Sequence, residues 1–379
     1  MPWWILLLPE VSCLHQSVGR MSSSLWFESL FGFNELDFRF KAIQNKFQLI
    51  PIDNKVRLVS KINQRSFDVG NFSCRSVRDL REEAKHYLSL RRYPERAQVT
   101  VSHDIIEDSL PLHHRYPGSV IQAASQFNCL EFPDSLVTPE EGVTEYVNDP
   151  TQGPACAIAC AAGTVYRNYF VPVNGRIGQT VDNQINNLDE AESLLGDTKL
   201  WEIRNGYSFS TETKLNELNA ILKMRSDELL DSIKVGVHKD VGVVFRERYI
   251  EVSPEEASTV TQVYASALSC AYSGIPAHYW ECFARLVLNA CYEATLWTAV
   301  INSLEPKDSC KSYPHDVFLT FLGGGVFGND MRWIVDAICR AIKIIQSTQG
   351  VTLNIHICHY RRLKSDVVSL INEKLTILE

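Results

Sequence analysis

DVFLTFLGGGVFGNDMRWIVDAICRAIKII, residues 316–345, is the stretch on which the reading of this chain turns. Its apolar opening predicts a buried strand, its centre is Gly323-Gly324-Gly325-Val326-Phe327-Gly328, and the apolar spacing after it predicts a helix that follows at once. Glycines let the backbone turn tightly and approach a ligand with no Cβ in the way. A helix start offers unpaired N–H groups and the positive end of a dipole. Together they form a cradle suited to phosphate.

The glycine spacing also satisfies G-x-G-x-x-G, the fingerprint of dinucleotide-binding folds. That fingerprint expects an acid about 20 residues further on, to hold a ribose hydroxyl. Here the next strand, residues 351–358, is followed instead by Arg361-Arg362 and a short tail. The arginines suit a 2′-phosphate, so a nicotinamide-dinucleotide-dependent oxidoreductase stands as an alternative. A tight strand-to-helix turn with no ligand is the bland one.

The chain has 379 residues, room for two domains or one decorated domain, with the composition of a globular protein. A net charge of −8, from 37 Lys and Arg against 45 Asp and Glu, argues against general nucleic-acid binding. Eleven cysteines show no C-x-x-C pair or Cys/His array, so no metal site and no disulfide framework is expected. Cys156 and Cys160, one helical turn apart, read as small buried residues. The odd count fits a reducing compartment, cytoplasmic or nuclear. The apolar residues 1–8 lack a basic flank and are too short to span a bilayer. No membrane partner is therefore expected, and a secretory signal is only weakly supported.

Residues 1–20 read as a tail or weak targeting segment and 21–97 as an N-terminal α+β module, with strands at 47–50 and 56–59 and a charged helix near 77–84. From residue 98 strands and helices alternate, which predicts an α/β domain over 98–365. A polar, helix-rich stretch, about 173–232, interrupts it as an insertion, and 366–379 read as a C-terminal tail.

A second informative region lies upstream. Residues 98–106, QVTVSHDII, form a strand that carries Asp104 and Ile105 near its end. Residues 119–128, SVIQAASQFN, are a buried strand opening into small and amide residues, Gln122, Ala123, Ser125 and Asn128. Thr151-Gln152-Gly153-Pro154 then leads into a helix of small residues from Ala155 to Gly163. This is a second glycine-bearing turn at a helix start.

In this order the motifs resemble a divergent macro domain of the ADP-ribose-binding and poly(ADP-ribose) glycohydrolase-like superfamily. His103-Asp104-Ile105 stands where that family has Gly-Asp-Ile, and Gln122-Ala123-Ala124-Ser125 where it has Asn-Ala-Ala-Asn. Gln152 to Gly163 resembles its first phosphate loop and Ala-rich helix, and Gly323 to Gly328 its second loop. The helix over 286–296 is similar to the one preceding that loop. The resemblance spans residues 98–360 and implies a three-layer α/β/α sandwich with a mixed sheet. It departs from the family at Gln122 and Ser125, where both asparagines are replaced, and in the single glycine of the first loop.

What the resemblance implies is a pocket for ADP-ribose or an ADP-ribosylated protein, with no cofactor. Asp104 and Ile105 take adenine, and Thr151, Gln152, Gly153 and Ala155 with Gly323, Gly324, Gly325, Val326, Phe327, Gly328 and Asn329 close on the diphosphate. Gln122, Ala123, Ser125 and Asn128 surround the distal ribose. Cutting the ribose C1 bond needs a carboxylate for the leaving group or water. Glu131, just beyond the amide strand, is preferred, with Asn128 beside it. Glu140-Glu141 and Asp149 are the other acids between strand and turn, and the glycohydrolases' Gln-Glu-Glu motif after a glycine triplet is not matched there. Phe327 is placed to wall the ribose and Asn329 to cap the helix while lining the pocket. His103, His356 and His359 read as strand residues. The expected function is ADP-ribose binding with hydrolysis of ADP-ribosyl linkages on protein or polymer. A non-catalytic reader with the same pocket is the alternative.

Overall fold

The computed structural model describes residues 25–52, 55–90, 96–248, 250–305 and 315–376. The apolar opening and Arg91-Arg92 lie outside the described residues. Seven strands form the central sheet: β1 (Asn71–Ser76), β2 (Gln98–Ile106), β3 (Val120–Ser125), β4 (Lys234–Gly242), β5 (Thr259–Ser266), β6 (Asp316–Leu319) and β7 (Thr352–Tyr360). Their order is β1-β4-β5-β3-β6-β7-β2. β4 runs antiparallel to β1 and β5, while β5, β3, β6, β7 and β2 are parallel in succession. The sheet is mixed, as expected.

Alternation along the strands builds the three layers. Val317 and Leu319 of β6 face a large core shared with helices α1 (Val77–Ser89), α4 (Glu212–Ser232), α5 (Ala277–Leu304), α6 (Met331–Gln346) and α7 (Ser365–Thr376). Phe318 faces the other side, where Ile121, Ala123 and Tyr264 meet Cys156 and Cys160 of the segment that forms α2 (Gln152–Ala159) and α3 (Ala161–Tyr169). α6 follows from its spacing: Ile334, Ala337, Ile338, Ala341, Ile342 and Ile345 recur every three or four residues and are all buried.

The sheet draws on residues before 97, since β1 is its edge strand and α1 packs on α5. Strands Phe47–Ile52, Lys55–Ser60 and Ser66–Asp68 form a separate antiparallel sheet, covered by Phe27, Phe31, Phe33 and Phe47 in edge-to-face contact. Residues 173–232 contain a short helix, Asp189–Leu194, the hairpin of Glu202–Arg204 with Tyr207–Phe209, and α4. α7 occupies most of the expected C-terminal tail and buries Val367 and Ile371. The single helix expected over 155–163 is two, broken at Cys160, whose backbone leaves helical geometry (φ −116°, ψ 54°).

Candidate functional site

The parallel strands β5, β3, β6, β7 and β2 all end at one edge, where open α/β sheets hold their ligands. A cleft of about 840 Å³ lies there. Its walls come from the segments after those strands: 106–109 beyond β2, 124–133 beyond β3, 320–327 beyond β6 and 358–364 beyond β7, with 149–155 at the start of α2. Tyr207 and Tyr272 close one side.

Glu131 is the chemical centre of this cleft. Its residue is 3% exposed and its Oε1 is buried without a hydrogen-bond partner. The loop that presents it is tightly shaped. The Gln126 side chain accepts from Phe132 N and donates to Phe132 O, both at 3.0 Å, and Glu131 N donates to the Tyr146 hydroxyl at 2.8 Å. Burial raises the Glu131 pKa well above the usual carboxylate range; the Arg167 guanidinium opposes the rise, and Cys129 and Asp149 add to it. A buried cleft carboxyl whose pKa is raised has the character of a general acid.

Gly153 is what lets α2 reach this carboxyl. A Cβ there would stand 1.9 Å from the Ala124 carbonyl oxygen and 2.3 Å from Glu131 Oε2. The Gln152 side chain fixes the same junction: its Oε1 accepts from Ala124 N at 2.8 Å and its Nε2 donates to Gln122 O at 2.7 Å. Thr151 makes no side-chain cap, so the N–H groups of Gln152 and Gly153 at the start of α2 have no capping side chain, and both residues line the cleft.

The glycine loop differs from expectation at its helix end. Asp330 is the N-cap of α6 and accepts from Arg332 N at 2.8 Å, so a carboxylate already occupies the first turn that was expected to meet phosphate. Inside the loop, Gly324 N, Gly328 N and Asn329 N bond to Phe321 O, Gly325 O and Gly323 O. The N–H groups of Gly325, Val326 and Phe327 have no partner among the described residues, and these residues line the cleft. Gly323 turns at φ +68°, where a Cβ would also collide with Ala267 and Asn329 at 2.5 Å. The loop start hangs from Tyr292, which donates to Thr320 O and accepts from Leu322 N, and from Gln122 Oε1, which accepts from Thr320 N.

Ser125, Glu131, Thr151, Gln152, Gly153, Ala155, Gly323, Gly324, Gly325, Val326 and Phe327 are therefore brought together around one cleft. The others are not. Gln122 is fully buried and donates to Thr295 Oγ1 of α5, because its position on β3 turns it inward, and Ala123 faces the opposite core. Asn128 is buried, donating to Gln184 and accepting from Leu130 N. Asn329 is buried and donates to Leu268 O, leaving the capping to Asp330. Gly328 does not line the cleft but packs against Ala271. Ile105 is 56% exposed and does not line the cleft. Asp104 bonds to His356 Nδ1 at 2.7 Å, and His356 Nε2 reaches Asp316 at 3.2 Å, all away from the cleft lining. Glu107 and Asp108 stand at the strand end instead. His103 and His359 bond to each other at 2.9 Å, and only His359 touches the cleft.

Sequence reasoning missed Tyr207, Tyr272 and Lys364, and gave Arg361-Arg362 a place only in the dinucleotide alternative, whereas both line this cleft. Tyr207 lies in the stretch taken as an insertion and carries no local motif. The signal for the cations was their place just after a cleft-side strand.

No protein-family model matches this chain, and no curated protein matches it. Among solved structures, the chain is similar to the poly(ADP-ribose) glycohydrolase of Deinococcus radiodurans in complex with ADP-ribose, at TM-score 0.43 and 10% identity, over 82% of this chain and 96% of that one. It is also similar to the poly(ADP-ribose) glycohydrolase of Thermomonospora curvata, at TM-score 0.39 and 11% identity, over 88% of this chain and 95% of that one.

Proposed function

We propose that the cleft binds ADP-ribose and hydrolyses ADP-ribosyl linkages, with Glu131 as the acid–base group. The observation that carries this reading is the buried, unpartnered Glu131 carboxyl against Gly153, in a cleft that both glycine-bearing turns line. The cleft volume is that of a small-molecule site, about 300–1,000 Å³.

In this reading the N–H groups of Gly325, Val326 and Phe327 and those opening α2 hold the diphosphate, with Arg361, Arg362 and Lys364 supplying positive charge. Glu107 and Asp108, at the cleft end of β2, offer acceptors to the adenine amino group in place of Asp104. The distal ribose lies by Ser125, Phe327 and Glu131. Glu131 gives its proton to the group leaving C1″, and the resulting carboxylate takes a proton from the water that bonds to C1″.

Calorimetry with ADP-ribose and an ADP-ribose release assay test this together. Wild type should bind ADP-ribose and release it from a modified substrate. Glu131→Gln should keep binding and lose about 10²–10⁴-fold in rate, the usual worth of a positioned acid–base group. Absence of ADP-ribose binding would remove the reading, and binding without release from any modified substrate would make the protein a reader.

A further inference from the structure

The cleft is divided by charge along the sheet. Its lysine and arginines, Arg361, Arg362 and Lys364, all follow β7, next to Glu107 and Asp108 at the end of β2, where Arg248 pairs with Asp108. Glu131 follows β3, two strands away, which is about 10 Å at the usual strand spacing. The glycine loop from β6 lies between. A ligand spanning the cleft therefore has its phosphates near cations and its far end near Glu131.

That far end is aromatic and acidic. Tyr207, Tyr272 and Phe327 pack with ring centroids 5.2, 5.4 and 5.8 Å apart, and all three line the cleft. Burial raises the pKa of the Tyr207 hydroxyl, with Tyr272, Asp134 and Glu131 as further contributors. Asp149 lines the same end, and its charge contributes to the raised pKa of Glu131. Among the described residues no lysine or arginine forms an ion pair with Glu131, Asp134 or Asp149; Asp134 and Asp149 accept only from backbone N–H groups of their own loops, and Glu131 Oε1 is buried and unpartnered. Arg167, whose charge acts on Glu131, has its hydrogen bonds and its face committed to Cys129 O, Thr164, His238 and the ring of Tyr264.

Aromatic faces beside an unpaired carboxylate, here Asp149, are what recognise a planar cation. Resting on the function proposed above, we infer that the substrate is a cationic N-glycoside of ADP-ribose: C1″ joined to the guanidinium of an arginine or to the pyridinium of nicotinamide. Water oxygen bonds to C1″ as the C1″–N bond breaks, and the electron pair of that bond stays on nitrogen. The departing guanidine takes the Glu131 proton and the resulting carboxylate takes the one lost by the water; nicotinamide leaves as a neutral molecule without that proton, and the water's proton goes to solvent. An oxygen-linked ADP-ribosyl group gives this end no charge to recognise.

The test compares wild-type turnover of an arginine-linked ADP-ribosyl peptide, NAD+ and a serine-linked ADP-ribosyl peptide of the same sequence context. One of the first two should exceed the third in kcat/KM by about tenfold, the size of a desolvated cation–π pair, and the arm that responds identifies the cation. Tyr272→Leu should collapse that ratio. If wild type turns over none of them, affinities of Glu131→Gln for the three ligands decide, and the cationic ligand should bind about tenfold tighter than the serine-linked one. Equal or reversed preference, in rate or in affinity, overturns the inference while leaving ADP-ribose binding intact; failure to bind ADP-ribose itself overturns the underlying function instead.

Discussion

Glu131 and Gly153 occupy each other's space: Oε2 of the one lies 2.3 Å from where any side chain on the other would begin. The Ala124 carbonyl oxygen stands closer still, at 1.9 Å from the same point. One hydrogen at residue 153 thus lets helix α2 and the carboxyl share the cleft floor.

Gly153→Ala should accordingly be costly beyond its size. The methyl meets backbone, which cannot rotate away, so α2 or the Glu131 loop must shift. Overpacking of this kind costs about 1–3 kcal/mol. The melting temperature should fall by several degrees, and, on the proposed function, ADP-ribose release should fall further than ADP-ribose affinity, because the displaced group is the proposed acid. Unchanged melting and turnover in Gly153→Ala would contradict the contact.

Glu131 also destabilises the fold at neutral pH. Its pKa is raised by burial, so the folded protein holds the proton more tightly than the unfolded chain. The stability this gives is complete below the unfolded pKa of about 4.3 and is lost as pH rises through the elevated folded pKa. Glu131→Gln, which carries no ionisable proton, should melt a few degrees above wild type at pH 7 and converge with it near pH 4. Melting curves across that range check the sign. Catalysis should follow the same group: wild-type turnover falls as pH rises through the Glu131 pKa, since the general acid is then lost.

The fold was legible because its signals are local and periodic. The strand–glycine–helix order of 316–345 and the recurrence of Ile334, Ile338, Ile342 and Ile345 predict β6, the loop and α6. Glu131 and Gly153 were legible by position, being next to a strand end and a helix start. Gln122, Ala123 and Asn128 were not, because which way a side chain points at the end of β3 is decided by Thr295, by the opposite core and by Gln184, all remote in sequence. Asp104 stands off the cleft lining for a related reason: the strand runs on to Ile106, which puts Asp104 beside His356 and leaves Glu107 and Asp108 at the mouth. Tyr207 and Tyr272 meet Phe327 only through tertiary packing, so no spacing announces them.

Arg361 and Arg362 follow β7 at the cleft's cationic end and are exposed. Exposed charges each contribute up to ~1 kcal/mol and are screened by salt. Replacing both with alanine should weaken ADP-ribose binding by roughly tenfold at low ionic strength, with the difference from wild type shrinking at 1 M salt. Calorimetry at two salt concentrations measures this. An effect that does not depend on salt would mean the arginines act through shape, not charge.

Glu35 ties the N-terminal segment to the loop that contacts Glu131 through Tyr146. Its Oε2 accepts from Val143 N, Thr144 N and Thr144 Oγ1 at 2.9, 2.6 and 2.5 Å, and its Oε1 accepts from the Tyr169 hydroxyl at 2.8 Å. The residue is 1% exposed, and burial raises its pKa against those four bonds. The loop it holds carries Tyr146, whose hydroxyl accepts from Glu131 N. Glu35→Gln puts an NH2 group opposite donors and leaves at least one buried donor unpaired, at about 1–3 kcal/mol. Melting should fall by several degrees, and kcat should fall through the Tyr146 contact while ADP-ribose affinity is kept. A drop in affinity with kcat unchanged would show that this loop holds the ligand and not the acid.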